Sequence, residues 1–255
     1  MGGIFDDRLH YSLNIVFKHG RNYKKFSLEI IDDIGAMEMA TLLQISQIET
    51  LAGQSTVLHN IDWMQFESIL EDIGEKRATK IAYLHGVLEI KMPLPEHEKV
   101  KVLISYFVQT LLDEMEIDFE PFGSTTFKRI DKLAGLEPDD CFYIQNNLVM
   151  RGVRKLDLSI DPPPDLAIEV DVTSKTKLDV YKAIAIPELW IYIENTLKIY
   201  ILINGEYAEA QLSPIFGNIP VRDVIPNFVE RSFKDGRSAA IRAFRAWVKQ
   251  NIAKS

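Results

Sequence analysis

The sequence PPPDLAIEVDVTS, at residues 162–174, places acidic side chains in an otherwise apolar strand. Its centre, residues 166–172, has the length and the β-branched content of a buried strand. Side chains alternate between the two faces of a strand, so Asp165, Glu169 and Asp171 share one face. A carboxylate inside an apolar strand is costly unless it is paired or binds a metal. The stretch therefore raises the question of what these acids do.

Composition and charge narrow the class of protein. The chain has 255 residues, of which 47% are hydrophobic and 26% are charged, as in a globular protein with one sizeable core. Its formal net charge of -8 argues against a protein that coats nucleic acid non-specifically, although a local basic groove is compatible with it. Cys141 is the only cysteine, no apolar run reaches the length of a membrane span, and the first residues lack a signal-peptide pattern. These features predict a cytoplasmic protein without a membrane partner.

The order of the sequence patterns predicts an α/β fold with a mixed sheet. Hairpins are expected to turn at His85-Gly86 and at Glu194-Asn195, and so many hairpins are incompatible with a wholly parallel sheet. Residues 1–36 differ in character from the rest of the chain and are predicted to be an extension. Either a frayed segment or a strand or helix that docks on the main domain fits them. Residues 37–255 are predicted to form one domain.

A second group of acids lies in EPDD (residues 137–140), at the start of another predicted strand. Asp139 and Asp140 should point to opposite faces of that strand, so at most one of them is a ligand. Glu89, in GVLEIKMP, lies between apolar neighbours in the first hairpin and also requires a partner.

Within the opening stretch, Glu169 is the candidate ligand. It stands between Ile168 and Val170, and the alternatives are a buried Lys or Arg partner or a solvent-facing position. The rule that buried charges are paired or bind metals favours a site. Asp165 follows three prolines and suits a turn or a strand entry instead.

Lys177 adds a cation to this group. If Thr173 or Ser174 caps the following helix, Lys177 falls in the first turn, and its side chain leans back toward the strand that carries Glu169. Two carboxylates and a lysine are the equipment of metal-dependent phosphodiester hydrolysis, in which magnesium polarises a phosphate oxygen. Spacing alone, however, favours a solvated helix residue at this position.

Several segments together resemble the Uma-two family, bacterial proteins of the restriction-endonuclease-like PD-(D/E)xK nuclease superfamily. These segments are GVLEIKMPLPEHE, GLEPDDCFYIQN, PPPDLAIEVDVTS, the pair Lys177 and Tyr181, and IPELWIY. The resemblance covers roughly residues 55–230. It implies a mixed central sheet flanked by helices, and cleavage of DNA with Mg²⁺, for which Mn²⁺ would substitute.

The resemblance also implies roles for individual residues. Asp139 matches the first acid of the superfamily motif and Glu169 the second, and these two would hold the metal. The motif lysine normally follows the second acid by two positions, where this chain has Asp171. Lys177, ahead of Tyr181, matches the displaced lysine of the family.

Further candidates lie around this centre. The resemblance makes Glu89 a supporting catalytic acid, and His97, in EHE, and Asp171 become accessory groups. Lys128 and Arg129, in STTFKR, are the candidate nucleic-acid contacts nearest the predicted site.

The sequence thus predicts a metal-dependent endonuclease that hydrolyses DNA phosphodiester bonds. One alternative is a catalytically inactive nucleic-acid-binding protein with the same fold, and another is a hydrolase of RNA or of another phosphate ester. A homodimer would supply the two cuts that duplex cleavage needs.

Overall fold

The computed structural model describes residues 10–19, 22–31, 50–74, 79–170 and 175–252, with side chains from residue 50 onward except those of residues 175–177. The chain divides into two compact units, Met1–Pro93 and Leu94–Ser255. The proposed boundary between an extension at 1–36 and a domain at 37–255 stays a prediction.

The described residues of the first unit form an antiparallel sheet and a helix. Its elements are β1 (His10–His19), β2 (Asn22–Ile31), β3 (Ser55–His59), α1 (Trp63–Ile73), β4 (Lys80–Leu84) and β5 (Val87–Lys91). Hydrogen bonds join the strands in the order β2-β1-β3-β5-β4. Strands β1 and β2 therefore occupy part of the N-terminal stretch whose composition differs from the rest.

Helix α1 begins at a capping box. The Asp62 carboxylate accepts a hydrogen bond from the Gln65 N–H at 2.8 Å, and the Gln65 side chain accepts one from the Asp62 N–H at 2.8 Å. Of the two predicted caps, Asp62 is thus the one that the structure uses. The helix then buries Phe66, whose ring stacks on that of Tyr83 with the centroids 4.3 Å apart. This contact fixes the helix on its own sheet.

Both predicted hairpin turns are present. His85 and Gly86 have φ angles of 46° and 86° and join β4 to β5 as a two-residue turn. Two consecutive positive φ angles match the twist of antiparallel strands, which is why glycine is favoured at the second position. The turn at Glu194-Asn195 has φ angles of 47° and 58° and joins two strands of the second unit.

The second unit contains most of the helices and a mixed sheet. Its elements are α2 (Pro95–Glu114), β6 (Glu120–Pro121), β7 (Phe127–Arg129), β8 (Ala134–Leu136), β9 (Asp140–Tyr143), α3 (Asn147–Met150), β10 (Leu166–Val170), α4 (Lys175–Ile184), β11 (Glu188–Ile193), β12 (Thr196–Ile203), β13 (Glu206–Ala210), α5 (Val221–Asp235) and α6 (Arg237–Ile252). Six strands follow the order β13-β12-β11-β10-β9-β6. Strands β10 and β11 are parallel and the other neighbours antiparallel, so the predicted mixed α/β architecture is confirmed.

One face of this sheet packs on the main hydrophobic core. Leu166, Ile168 and Val170 of β10 lie in that core with the apolar stripe of α2 and with residues of α5 and α6. The rings of Phe107 and Phe244 join α2 to α6, with their centroids 4.5 Å apart. The described helices are each too short or too polar to cross a bilayer.

Strand β10 is buried on both faces. All five of its residues are buried, including Ala167 and Glu169, which alternate with the core-facing residues. Helix α4 follows β10, connects it to its parallel neighbour β11, and buries Val180, Tyr181 and Ile184. Glu169 is therefore enclosed between elements of the fold rather than exposed to solvent.

Two valines of α2 test the packing of the core. Val108 is 0% exposed and Val102 is 49% exposed. We expect Val108→Ala to lower the free energy of unfolding by about 2 kcal/mol, because two buried methyl groups leave a cavity. Val102→Ala makes the same chemical change on the same helix and should leave it within about 0.5 kcal/mol of wild type. Urea unfolding measures both, and equal losses would contradict the assignment of the buried face.

Candidate active site

The Glu169 carboxylate is the most deeply buried acid of the candidate site. Its residue is 1% exposed, and the hydroxyl of Tyr181 on α4 donates a hydrogen bond to Glu169 Oε1. This hydroxyl is a neutral partner, and the two expectations for Glu169, a metal or a buried Lys or Arg, both stay predictions. The Tyr181 hydroxyl thus fixes the orientation of this carboxylate.

Asp139 lies alongside Glu169. It stands between β8 and β9, and its N–H donates to the Ile168 carbonyl at 3.1 Å. Its carboxylate oxygen Oδ2 accepts from the Val170 N–H at 2.8 Å. Asp139 therefore bonds to the residues on either side of Glu169, which holds the two acids at the same end of β10.

Both acids affect the pKa of the Tyr181 hydroxyl. Burial raises the pKa of its hydroxyl well above the ordinary value, and the negative charges of Glu169 and Asp139 raise it further. The hydroxyl thus stays protonated and remains a donor. This contact of Tyr181, a residue that the sequence marks only as part of a motif, was not predicted, and the spacing of Lys177 and Tyr181 was the available signal.

Lys177 belongs to α4, as predicted, and precedes Tyr181 by one helical turn. Residues four apart lie on the same face of a helix. The side chain of Lys177 and all of Asp171, with the predicted caps Thr173 and Ser174, lie outside the described residues. Their roles stay predictions.

Glu89 and His97 belong to different units of the chain. Glu89 is buried in β5 of the first unit, where it pairs in register with Val57 and Ala82. His97 is half-buried in the first turn of α2, in the second unit. Support of catalysis by either residue stays a prediction.

The two candidate nucleic-acid contacts lie on β7. Lys128 is exposed, whereas the guanidinium of Arg129 donates to both carboxylate oxygens of Asp131, at 3.2 and 2.7 Å. Helix α4 packs against β7 and β8, so this hairpin adjoins the element that carries Tyr181.

Other acids of the region have structural partners. Asp165 accepts hydrogen bonds from the Ile144 N–H at 2.6 Å and from the N–H and side-chain amide of Asn146 at 3.2 and 3.0 Å. Its carboxylate thus closes the connection that enters β10, in agreement with its interpretation as a strand-entry residue. Asp140 accepts from the Cys141 N–H at 2.8 Å.

The donor set at the site consists of two described carboxylates. Within the described residues, no three His, Cys, Asp or Glu side chains are grouped closely enough to hold a metal ion. Mg²⁺ binds through one or two carboxylates and keeps several waters, whereas structural zinc requires four protein ligands. Asp139 and Glu169 therefore fit a hard, hydrated cation.

Isosteric changes distinguish a structural acid from a candidate ligand. We expect Asp165→Asn to lower the free energy of unfolding by about 2 kcal/mol, because an amide group then faces N–H donors. Asp139→Asn should leave stability unchanged or slightly raised in metal-free buffer, because it relieves repulsion with Glu169. Urea unfolding in EDTA compares the two, and an equal loss in both variants would make Asp139 a structural acid.

Comparisons with known proteins agree with the sequence patterns. The model of the Uma-two family, which bears the description "putative restriction endonuclease", matches residues 63–233. A crystal structure of a "putative nuclease" from Anabaena variabilis is similar over 58% of this chain and 90% of that one, with 15% identity and a TM-score of 0.42. A comparison with curated proteins finds no match.

The family match covers well over half of the chain and includes both acids of the site, Lys177 and Tyr181. The predicted restriction-endonuclease-like fold class agrees with this match and with the mixed α/β architecture. The chain therefore belongs to the Uma-two family, and this membership supports a nuclease function.

Proposed function

We propose that this protein is a metal-dependent endonuclease that hydrolyses DNA phosphodiester bonds. The observation that carries the proposal is the pair of acids at the end of β10, where Asp139 bonds to both neighbours of the buried Glu169. The half-buried Asp139 and the buried Glu169 thus offer two carboxylates at one end of a strand, and carboxylate oxygens are the protein ligands that Mg²⁺ prefers. Family membership supplies the reaction class.

Asp139 and Glu169 would hold a Mg²⁺ ion. When bound, such an ion polarises a phosphate oxygen and lowers the pKa of an attacking water. Glu169 is pre-oriented for this role by Tyr181, and Asp139 by the Val170 N–H. Preorganised ligands do not have to be reordered when the cation binds, which favours binding. Mn²⁺ has a similar preference for oxygen ligands and would substitute.

Lys177 would supply a positive charge to the site. It stands one turn before Tyr181, and helical side chains lean toward the N-terminus of their helix, which here is the end nearest β10. A lysine ammonium at that place offsets the charge that develops on the phosphate and orients the attacking water. In-line attack then breaks the bond to the leaving oxygen, which takes up a proton.

The chain itself would set the order of these groups. Asp139, Glu169 and Lys177 follow one another within a single stretch that runs through β9, β10 and α4. The hydroxyl of Tyr181 ties α4 to the carboxylate on β10. Movement of the helix would therefore move the lysine and the acid together, which keeps their spacing constant.

Glu169→Gln tests the metal site, with Glu188→Gln as its matched control. Both glutamates are buried in adjacent strands of one sheet, but Glu188 accepts from the Trp190 indole at 2.6 Å and lies at the other end of β10. We expect Glu169→Gln to lower plasmid nicking in Mg²⁺ by at least about a hundredfold. Glu188→Gln should retain nicking, because burial already raises the pKa of Glu188 and favours its neutral form.

Metal binding gives a second readout for the same pair. At a Mn²⁺ concentration of about 100 Kd, the wild type should gain about 2.7 kcal/mol in free energy of unfolding, and Glu169→Gln should lose this gain. Nicking that survives Glu169→Gln would refute the assigned site. Metal binding without nicking of DNA would point to RNA or another phosphate ester as the substrate. The absence of both metal binding and nicking would favour a binding protein.

Lys177→Ala tests the lysine, with Lys182→Ala on the same helix as its control. Lys182 forms ion pairs with Asp179 at 2.9 Å and Glu206 at 3.0 Å, at the far end of α4. We expect Lys177→Ala to lower nicking by about a hundredfold while the Mn²⁺-induced stabilisation remains, because the lysine acts on the phosphate and the water. Lys182→Ala should behave as wild type. Equal nicking by the two variants would assign Lys177 to the solvated surface.

A further inference from the structure

The hairpin of β7 and β8 ends in a tip, residues 128–133, that is anchored at its base. The strands pair from Phe127 with Leu136 to Arg129 with Ala134, and Phe127, Ala134 and Leu136 are fully buried. Helix α4 packs against both strands. The base is thus part of the folded unit, and the four residues that join the strands project from it.

The tip presents apolar side chains to solvent. Ile130 is 66% exposed and Leu133 is 40% exposed. Leu133 has φ 44° and ψ 48°, a left-handed conformation that leucine rarely adopts. The Arg129–Asp131 ion pair holds the turn from within. The loop therefore leaves two apolar side chains exposed among its charged ones.

The charge of the tip is opposite to that of the chain. Lys128, Arg129 and Lys132 against the single acid Asp131 give the tip a formal charge of +2, in a chain of net charge -8. Lys128 and Lys132 are both exposed. Duplex DNA is a polyanion in which apolar base pairs stack between two phosphate backbones. An exposed isoleucine flanked by lysines is suited to contact such a molecule.

The tip is also tied to the candidate site through the backbone. Strand β8 runs into Glu137, Pro138 and Asp139, and Glu137 accepts a hydrogen bond from the Thr126 hydroxyl at 3.0 Å across the base of the hairpin. Leu133 and Asp139 are six positions apart in the chain, a span of at most about 20 Å. With a rise of about 3.4 Å per base pair, that span corresponds to about six base pairs of duplex.

We propose that the tip, residues 128–133, docks on duplex DNA and inserts Ile130 between base pairs within about six pairs of the cleaved bond. Lys128 and Lys132 contact the flanking phosphates, and the Arg129–Asp131 pair braces the turn. This proposal rests on the proposed nuclease function and adds to it the element that positions the duplex. Side chains that wedge between base steps unstack them and bend the duplex, so the tip would favour easily unstacked sequences.

A short duplex with 2-aminopurine at successive positions tests the wedge, with calcium in place of magnesium so that the probe stays intact. Wild type should raise the fluorescence of 2-aminopurine at one step. Ile130→Ser should abolish this rise and weaken binding roughly tenfold, because an apolar contact is lost. Ile160→Ser is the matched control: Ile160 is 82% exposed in another loop of the same unit, and its replacement should change neither readout.

Salt dependence tests the phosphate contacts. The double variant Lys128→Ala, Lys132→Ala should reduce the slope of log K against log salt concentration by about 2, at about 0.9 for each phosphate contact. An Ile130→Ser protein that binds and unstacks the probe as wild type does would overturn the wedge, and plasmid nicking by wild type would then leave the nuclease proposal intact. Wild type that neither binds duplex nor nicks plasmid would overturn both.

Discussion

The burial of one carboxylate, that of Glu169, constrains the second unit more than any other interaction. Strand β10 lies inside the six-stranded sheet, and its apolar residues occupy the core on one face. The opposite face must then enclose the charge of Glu169, which α4 does by bringing the Tyr181 hydroxyl onto it. The position of α4, and with it the β10–α4–β11 connection, therefore depends on the need of one buried acid for a hydrogen-bond donor.

The acids of this sheet differ in their surroundings. Asp165 receives three hydrogen bonds from its own connection, and Glu188 receives the Trp190 indole. Asp139 and Glu169, by contrast, come from separate segments and meet at one end of β10, where Asp139 bonds to both neighbours of Glu169. This meeting of two acids is the basis on which the metal site is proposed.

Local patterns predicted the parts of the structure that local physics decides. The two hairpin turns, the Asp62 cap and the strand around Glu169 follow from turn geometry, capping and alternation, which act within a few residues. The hydroxyl partner of Glu169 could not be derived in this way, because it depends on how α4 packs. The turn between β7 and β8 was missed for a different reason, although Lys128 and Arg129 were singled out: Leu133 occupies a left-handed turn position where sequence rules expect glycine or asparagine.

The hydrogen bonds between Asp139 and β10 also have a consequence for folding. The two acids are 30 positions apart, and they meet only when β9 and β10 have paired across the long connection that Asp165 closes. Contacts of this sequence separation form late relative to hairpins and helices, because the intervening chain must first be ordered. A nascent or partly unfolded chain therefore contains both carboxylates but has not yet brought them together. Such a chain would assemble its candidate site only after β9 and β10 have paired.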